Sequence, residues 1–411
     1  MLRDRNIVCL SSIDWDFLWQ GHQQIMSALA DHGNRVLFVE STGVRAPAPR
    51  DLPRLWKRVK TLWPVGGGDA PKGKGHRRHP ENVRVYSPVV LPFPYSRAAQ
   101  AVNRPLVRRA IRRHTADWSP ARPIVWNFLP TPLSRSIARS LNPTLSIFHC
   151  VDHLSASSPA AARLSDTESA CFAEADLVFA TSQSLLDRAT ALNAHAHLVP
   201  SGVDFPRFER ARLSDEPLPV DLAAIPRPVV GYLGGVHQWV DQPLLAALAA
   251  RRPDWSLVLV GPLQADASAL TRLPNVHALG TRAPDEVPRY LRGFDVAIIP
   301  YRLTEYTEHV YPAKLNEYLA MGLGVVATPL SEITRFNRFH GPIVRLGADA
   351  AGFESAVEAE LSQADRDAVA RRVAVAKENS WAARLELMSS LIDDRLARRT
   401  GPDSCAASQA N

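Results

Sequence analysis

Short, unbroken apolar runs alternate with amphipathic stretches along this chain. Residues 6–10, 35–40, 123–127, 144–150, 177–180 and 197–200 have the pattern of strands buried on both faces. Between them, residues 22–32, 97–113, 160–174 and 182–192 carry apolar positions at helical spacing. Gly33 ends the first of these helices, and Thr181 or Ser182 caps the last. The alternation predicts an open parallel sheet. Residues 205–227 are polar and proline-bearing and read as a linker. A second set follows, with strands at 229–233, 256–260, 276–279, 296–300 and 343–345 and helices at 242–251, 284–292, 350–364 and 365–378. Residues 381–399 predict a long amphipathic helix, and 400–411 a disordered tail.

The most informative stretch is 311–328, Tyr-Pro-Ala-Lys-Leu-Asn-Glu-Tyr-Leu-Ala-Met-Gly-Leu-Gly-Val-Val-Ala-Thr. Pro312 suits a first helical turn, where its missing N–H would have no partner. Leu315, Tyr318, Leu319 and Met321 follow at helical spacing, Gly322 or Gly324 can take a left-handed cap, and Val325–Ala327 form a buried strand. Lys314 and Glu317 are left near the positive end of the helix dipole, where a phosphate would be welcome. A solvated surface ion pair fits the same spacing.

At 411 residues the chain is too long for one core and suits two domains of about 150–200 residues. There is no apolar run of transmembrane length, and the N-terminus runs into a strand without the apolar core of a signal peptide. Cys9, Cys150, Cys171 and Cys405 lack CxxC spacing, so neither a disulfide framework nor a metal site is expected, which fits a reducing cytoplasm.

The net charge of +7 is uneven: residues 1–205 hold 25 Lys/Arg against 16 Asp/Glu, giving +9, and the rest −2. Most of the excess lies at 45–84, a proline- and glycine-rich stretch expected to be a basic, flexible insertion. Within it, residues 52–63 mix basic and bulky apolar side chains, as a segment lying on an anionic membrane does. A solvated charged loop fits equally; a nucleic-acid patch lacks any recognised module. The six arginines of 97–113 could continue the same basic surface.

Two loops sit at carboxyl ends of first-half strands, where open α/β sheets bind ligands. The loop 11–21 and the helix after it gather Asp14, Trp15, Asp16, Trp19 and His22, which fit an acceptor site or a surface turn with core tryptophans. Val151-Asp152-His153 follows the strand 144–150. There is no GxGxxG, so no dinucleotide site is signalled.

The block Pro312-x-Lys314-x-x-Glu317-Tyr318-Leu319-Ala320-x-Gly322 resembles the donor-site signature of GT-B glycosyltransferases, especially those that build bacterial polysaccharides. Other blocks resemble the family in order and spacing. They are Phe148–Asp152, Ala175–Ser182 and Val199–Asp204 in the first half, then Gly231–Gly235, Leu259–Gly261, Gly280–Arg282 and Asp295–Tyr301 in the second. The resemblance implies an α/β GT-B fold of two Rossmann-like, doubly wound parallel-sheet domains facing across a cleft. Residues 1–205 would bind the acceptor and 206–380 a nucleotide sugar, with helix 381–399 crossing back to the first domain.

It also implies site roles. The Gly234-Gly235 turn would let backbone N–H groups approach the donor diphosphate, Lys314 would neutralise the phosphates and Glu317 would hold the ribose. Arg282 and the loop after Gly261 would flank the nucleobase, with Tyr311 and Pro312 lining the pocket. Two departures stand out. The glutamate that many retaining members carry eight residues before the motif glutamate is His309 here, beside Glu308. The basic residue often found after the Gly-rich turn is missing from Val236-His237-Gln238-Trp239. Both lean toward the inverting, exopolysaccharide glucuronosyltransferase-like branch, whose members take an acidic base from the first domain. Asp152 is the candidate base, with Asp14, Asp16 and His22 as runners-up; Asp152 could instead cap a following helix. No Asp-x-Asp pair stands in the second half, so no metal is expected.

The expected protein is thus a cytoplasmic, peripheral-membrane glycosyltransferase. It would use a UDP- or GDP-linked sugar and a lipid-linked or polysaccharide acceptor, with no cofactor and no nucleic-acid partner. A nucleotide-sugar epimerase and a non-catalytic sugar-nucleotide-binding scaffold are the alternatives.

Overall fold

A computed structural model describes residues 1–16, 19–43, 80–118, 121–156, 161–362 and 365–400. Most of the basic insertion, including 52–63, and the tail from residue 401 lie outside them. The chain divides into two compact units, Met1–Val199 with Leu385–Asn411, and Pro200–Arg384.

In the first unit the strands are β1 (Asn6–Leu10), β2 (Arg35–Val39), β3 (Val83–Tyr86), β4 (Ile124–Asn127), β5 (Leu145–Cys150), β6 (Leu177–Ala180) and β7 (Ala196–Leu198). They form one sheet in the order β3-β2-β1-β4-β5-β6-β7, and all pairs are parallel. The apolar runs are continuous because both faces are covered: Val8, Leu37 and Val125 pack with Val107 and Ile111 of the helix Arg97–His114, and Phe148 and Val178 with Phe172. Each such buried side chain contributes about 1.5–3 kcal/mol. Helix Trp381–Thr400 enters this unit at Leu385, where Arg395 Nε donates to the Asp176 carbonyl (3.2 Å) and Arg399 pairs with the Asp176 carboxylate.

The second unit holds β8 (Val229–Leu233), β9 (Ser256–Val260), β10 (Val276–Gly280), β11 (Val296–Ile299), β12 (Gly324–Ala327) and β13 (Arg345–Leu346). Their order is β10-β9-β8-β11-β12-β13, again all parallel. Gly231, mid-strand in β8, is required by close packing, since a Cβ there would lie 2.2 Å from the Phe294 ring.

Two expectations need correction, and one helix was unexpected. Residues 205–227 are not a linker: they form helices Phe205–Arg212 and Val220–Ala223, whose Phe205, Phe208 and Leu222 belong to the second unit's core. Residues 83–84, assigned to the insertion, belong to the edge strand β3, and helix Pro132–Ser140 was not expected. The left-handed stop after the helix is Gly322 (φ +74°), while Gly324 opens β12.

Candidate active site

In the second unit the chain runs outward from β8 to β9 and β10, then returns to β11 on the other side of β8. Such a reversal leaves a crevice outside the carboxyl ends of the two central strands. Gly234 and Gly235 follow β8 there, and Tyr301 follows β11. Lys314, the first residue of the seven-residue helix Lys314–Ala320, reaches the same place.

Two phenols hold its ammonium. Lys314 Nζ donates to Tyr232 Oη at 2.9 Å and to Tyr301 Oη at 2.7 Å, and lies 4.1 and 4.9 Å from the two ring centroids. An ammonium has three N–H donors, so one remains for a ligand. Gly234 has φ +126°, and a Cβ on it would meet Lys314 Nζ at 2.9 Å. Behind it Gly261 has φ +148°, and a Cβ there would sit 2.2 Å from the Gly234 carbonyl oxygen. The Gly234 N–H donates to Val260 O (2.8 Å) and the Val236 N–H to Pro262 O (2.9 Å). Between them the Gly235 N–H makes no hydrogen bond among the described residues, so this amide of the turn is open to an incoming oxygen.

Glu317, three residues beyond Lys314, is half-buried and accepts no hydrogen bond among the described residues. Burial pushes its carboxyl up to about 7 against the pull of Lys314 and Arg207. The other expected donor residues have different surroundings. Tyr311 is buried, and its hydroxyl exchanges hydrogen bonds with the Asn316 amide (3.0 and 3.3 Å), which in turn donates to Ser201 O (2.8 Å). Pro312 is buried and its carbonyl accepts from Leu315 N–H at 2.9 Å. Both therefore seat the helix. Arg282 pairs with Asp221, and its guanidinium lies 5.0 Å over the Tyr290 ring; it is not among the groups that hold Lys314. His309 ends the turn Glu305–Glu308, and Glu308 accepts from the Ser331 hydroxyl.

In the first unit, Asp152 lies just past the carboxyl end of β5. Its carbonyl, not its side chain, accepts from Leu154 N–H (2.8 Å), and its carboxylate caps no helix among the described residues. Burial pushes that carboxyl up to about 6. The loop is fixed on both sides: Thr181 Oγ1 donates to Val151 O at 2.6 Å, and Ser155 Oγ to the fully buried Glu168 at 3.0 Å, which Arg188 also engages at 2.7 Å.

The runners-up sit elsewhere on the sheet. Asp14 is half-buried and Asp16 exposed; Trp15 between them is buried, its N–H donating to Glu40 Oε1 at 2.8 Å and its ring edge-on to Phe38 at 4.9 Å. His22 is buried, with Nε2 2.9 Å from Ser12 Oγ and its ring 4.1 Å from Phe128. Burial pushes its pKa down to about 3, so it is neutral at physiological pH. What the sequence reading missed is the pair Tyr232 and Tyr301, whose signal was a tyrosine at or just past the end of each central strand.

Residues 227–363 match the family model described as glycosyl transferases group 1. A 154-residue stretch is 34% identical to the Bacillus subtilis (strain 168) protein named "Putative teichuronic acid biosynthesis glycosyltransferase TuaH". That match spans 36% of this chain and 38% of the relative, so the chain covers well under half of the curated relative it matches. Among solved structures, Anabaena Alr3699/HepE in complex with UDP and glucose superposes with a TM-score of 0.64 at 15% identity, over 95% of this chain and all of that one. Sucrose-phosphate synthase from Thermosynechococcus elongatus gives 0.64 at 19% identity, over 96% of this chain and 100% of its own. The fold is GT-B, and residues 227–363 of its second unit carry the similarity to the group 1 glycosyl transferases.

Proposed function

We propose that this chain is a glycosyltransferase of cell-surface polysaccharide synthesis. It would move a sugar from a UDP- or GDP-linked donor to a lipid-linked or polysaccharide acceptor. The observation that carries the reading is the Lys314 ammonium, held between Tyr232 and Tyr301 against Gly234 at the switch point of the second sheet. A fixed cation beside an open Gly235 amide suits a leaving nucleoside diphosphate. Glu317, with both oxygens open, would take the ribose hydroxyls. HepE, which shares the fold, was crystallised with UDP and glucose, and TuaH is named for teichuronic acid synthesis; both support this choice of chemistry.

In the reaction an acceptor hydroxyl oxygen would bond to the anomeric carbon as the bond from that carbon to the phosphate oxygen breaks. Asp152 would take the hydroxyl proton, and Lys314 would stabilise the departing diphosphate. One helix of the first unit supports the choice of a lipid-linked acceptor. Helix Arg97–His114 has six arginines and no acid, and exposes Val102 (47%) and Leu106 (53%) near Phe93 (54%) in the preceding loop. Basic residues around exposed apolar side chains suit an anionic lipid surface.

The test is thermal denaturation of the purified protein with a panel of nucleotides and nucleotide sugars, alongside Lys314→Ala. Stabilisation by one nucleoside diphosphate, lost in the variant, is the expected result. No shift with any nucleotide would overturn the donor site. A Listeria monocytogenes protein titled "putative UDP-N-acetylglucosamine 2-epimerase" shares the fold with a TM-score of 0.55 at 11% identity, so donor consumption is measured with and without acceptor lipid. Isomerised donor without acceptor would favour the epimerase; binding without turnover would favour a scaffold.

A further inference from the structure

The loop after Gly235 carries aromatic rings and no lysine or arginine. His237 and Trp239 stack at 3.4 Å between centroids with 16° between planes, and Trp239 lies 5.1 Å from the Tyr306 ring. All three are half-buried, and Leu303 in the same segment is 55% exposed. The wall is tied to the cage of Lys314: Val240 bridges to Tyr301, and the Arg302 N–H donates to the Trp239 carbonyl at 2.8 Å. Tyr301 thus serves both, through its hydroxyl for Lys314 and through its backbone for the loop of Trp239.

We infer that His237, Trp239 and Tyr306 form a stacking wall for the pyranose ring of the donor sugar, next to the diphosphate site at Lys314 and Gly235. The inference rests on the donor site proposed above. Sheet order gives the direction. The wall is built from the segments after β8 and β11, whereas the strands β9 and β10 lie on the opposite side of β8 from β11. A ligand with its diphosphate at the switch point has two ends, one over each side. The wall serves the end away from β9 and β10. A pyranose has an apolar face of C–H groups that packs on an aromatic surface, while its hydroxyls stay at the edge. Burial lowers the pKa of His237, which keeps the wall uncharged near neutral pH.

The experiment compares dissociation constants by calorimetry for UDP with UDP-glucose and for GDP with GDP-mannose. It uses wild type, Trp239→Leu and Trp239→Phe, each shown to be folded by its melting curve. Trp239→Leu is expected to weaken the nucleotide sugar about tenfold while changing the free diphosphate less than twofold, and Trp239→Phe to restore most of the loss. Equal weakening of diphosphate and nucleotide sugar would mean that the wall holds the nucleotide, and would overturn the inference. An unchanged nucleotide sugar would overturn it while leaving the donor site intact. Failure of wild type to bind any nucleotide would remove the donor site itself, and the wall with it.

Discussion

Gly234 and Lys314, eighty positions apart in the chain, occupy adjoining space so tightly that a single added carbon on the glycine would lie 2.9 Å from the lysine ammonium. The positive φ of +126° at Gly234 adds a second penalty for any side chain. Gly234→Ala is therefore expected to cost about 1–3 kcal/mol of stability and to abolish stabilisation by nucleotide. Melting curves with and without the preferred nucleoside diphosphate check both. An alanine variant that melts and binds like wild type would show that the turn is not the phosphate seat.

Tyr301 and Lys314 should act as one unit. Tyr301→Phe removes an acceptor at 2.7 Å from Nζ and leaves Tyr232 as the remaining tether. We expect nucleoside diphosphate affinity to fall about 3- to 30-fold in Tyr301→Phe and further in Lys314→Ala, with the double variant no worse than Lys314→Ala alone. Strictly additive losses would mean that the phenol does not position the ammonium.

The acid limb of the rate profile should belong to Asp152. Its carboxyl is pushed up to about 6, so below that pH it holds a proton and cannot accept another. Turnover should rise as pH increases through about 6 and level off above it. Asp152→Asn should lower kcat by roughly 10²–10⁴-fold and flatten this limb. A variant with an unchanged profile would move the base elsewhere, Asp14 and Asp16 being next to test.

Glu317 trades stability for an open acceptor. Its folded pKa of about 7 stands above the ordinary 4.5, so its contribution is fully present below the ordinary value and is lost as pH rises through 7. Glu317→Gln should stabilise the unliganded protein at pH 8 by on the order of 1–3 kcal/mol, with the gap narrowing toward pH 5. The same variant should bind nucleotide less well. Chemical denaturation at the two pH values reads the first effect, and a gap that does not depend on pH would refute the assignment.

Much of the architecture was legible from apolar runs alone. β1, β6, β8 and β9 span the residues expected from their mainly apolar runs, because strands covered on both faces need no polar alternation. Residues 205–227 misled because Pro206, Pro217 and Pro219 and a high charge density imitate a linker, while only Phe205, Phe208 and Leu222 betray the buried face. β3 is a four-residue edge strand beside the basic stretch and carries little pattern of its own. In the site, Lys314 and Glu317 stood out by spacing. Tyr232 did not, since a tyrosine in an apolar strand looks like core until its hydroxyl is seen 82 residues away at Lys314. Arg282 looked available as a cation, but its charge is taken by Asp221, which lies in the segment misread as linker.

The last long helix has a consequence for how the protein is made and cut. Because the stretch from Leu385 belongs with the unit that starts at Met1, that unit is not a contiguous piece of chain. Ser389 donates to the Met1 thioether at 3.4 Å, which ties the segment from Leu385 to the start of the unit. Synthesis of this unit thus starts before that of the second unit and is completed after it. Any chimera that exchanges second units between relatives must keep the final helix with its original N-terminal half.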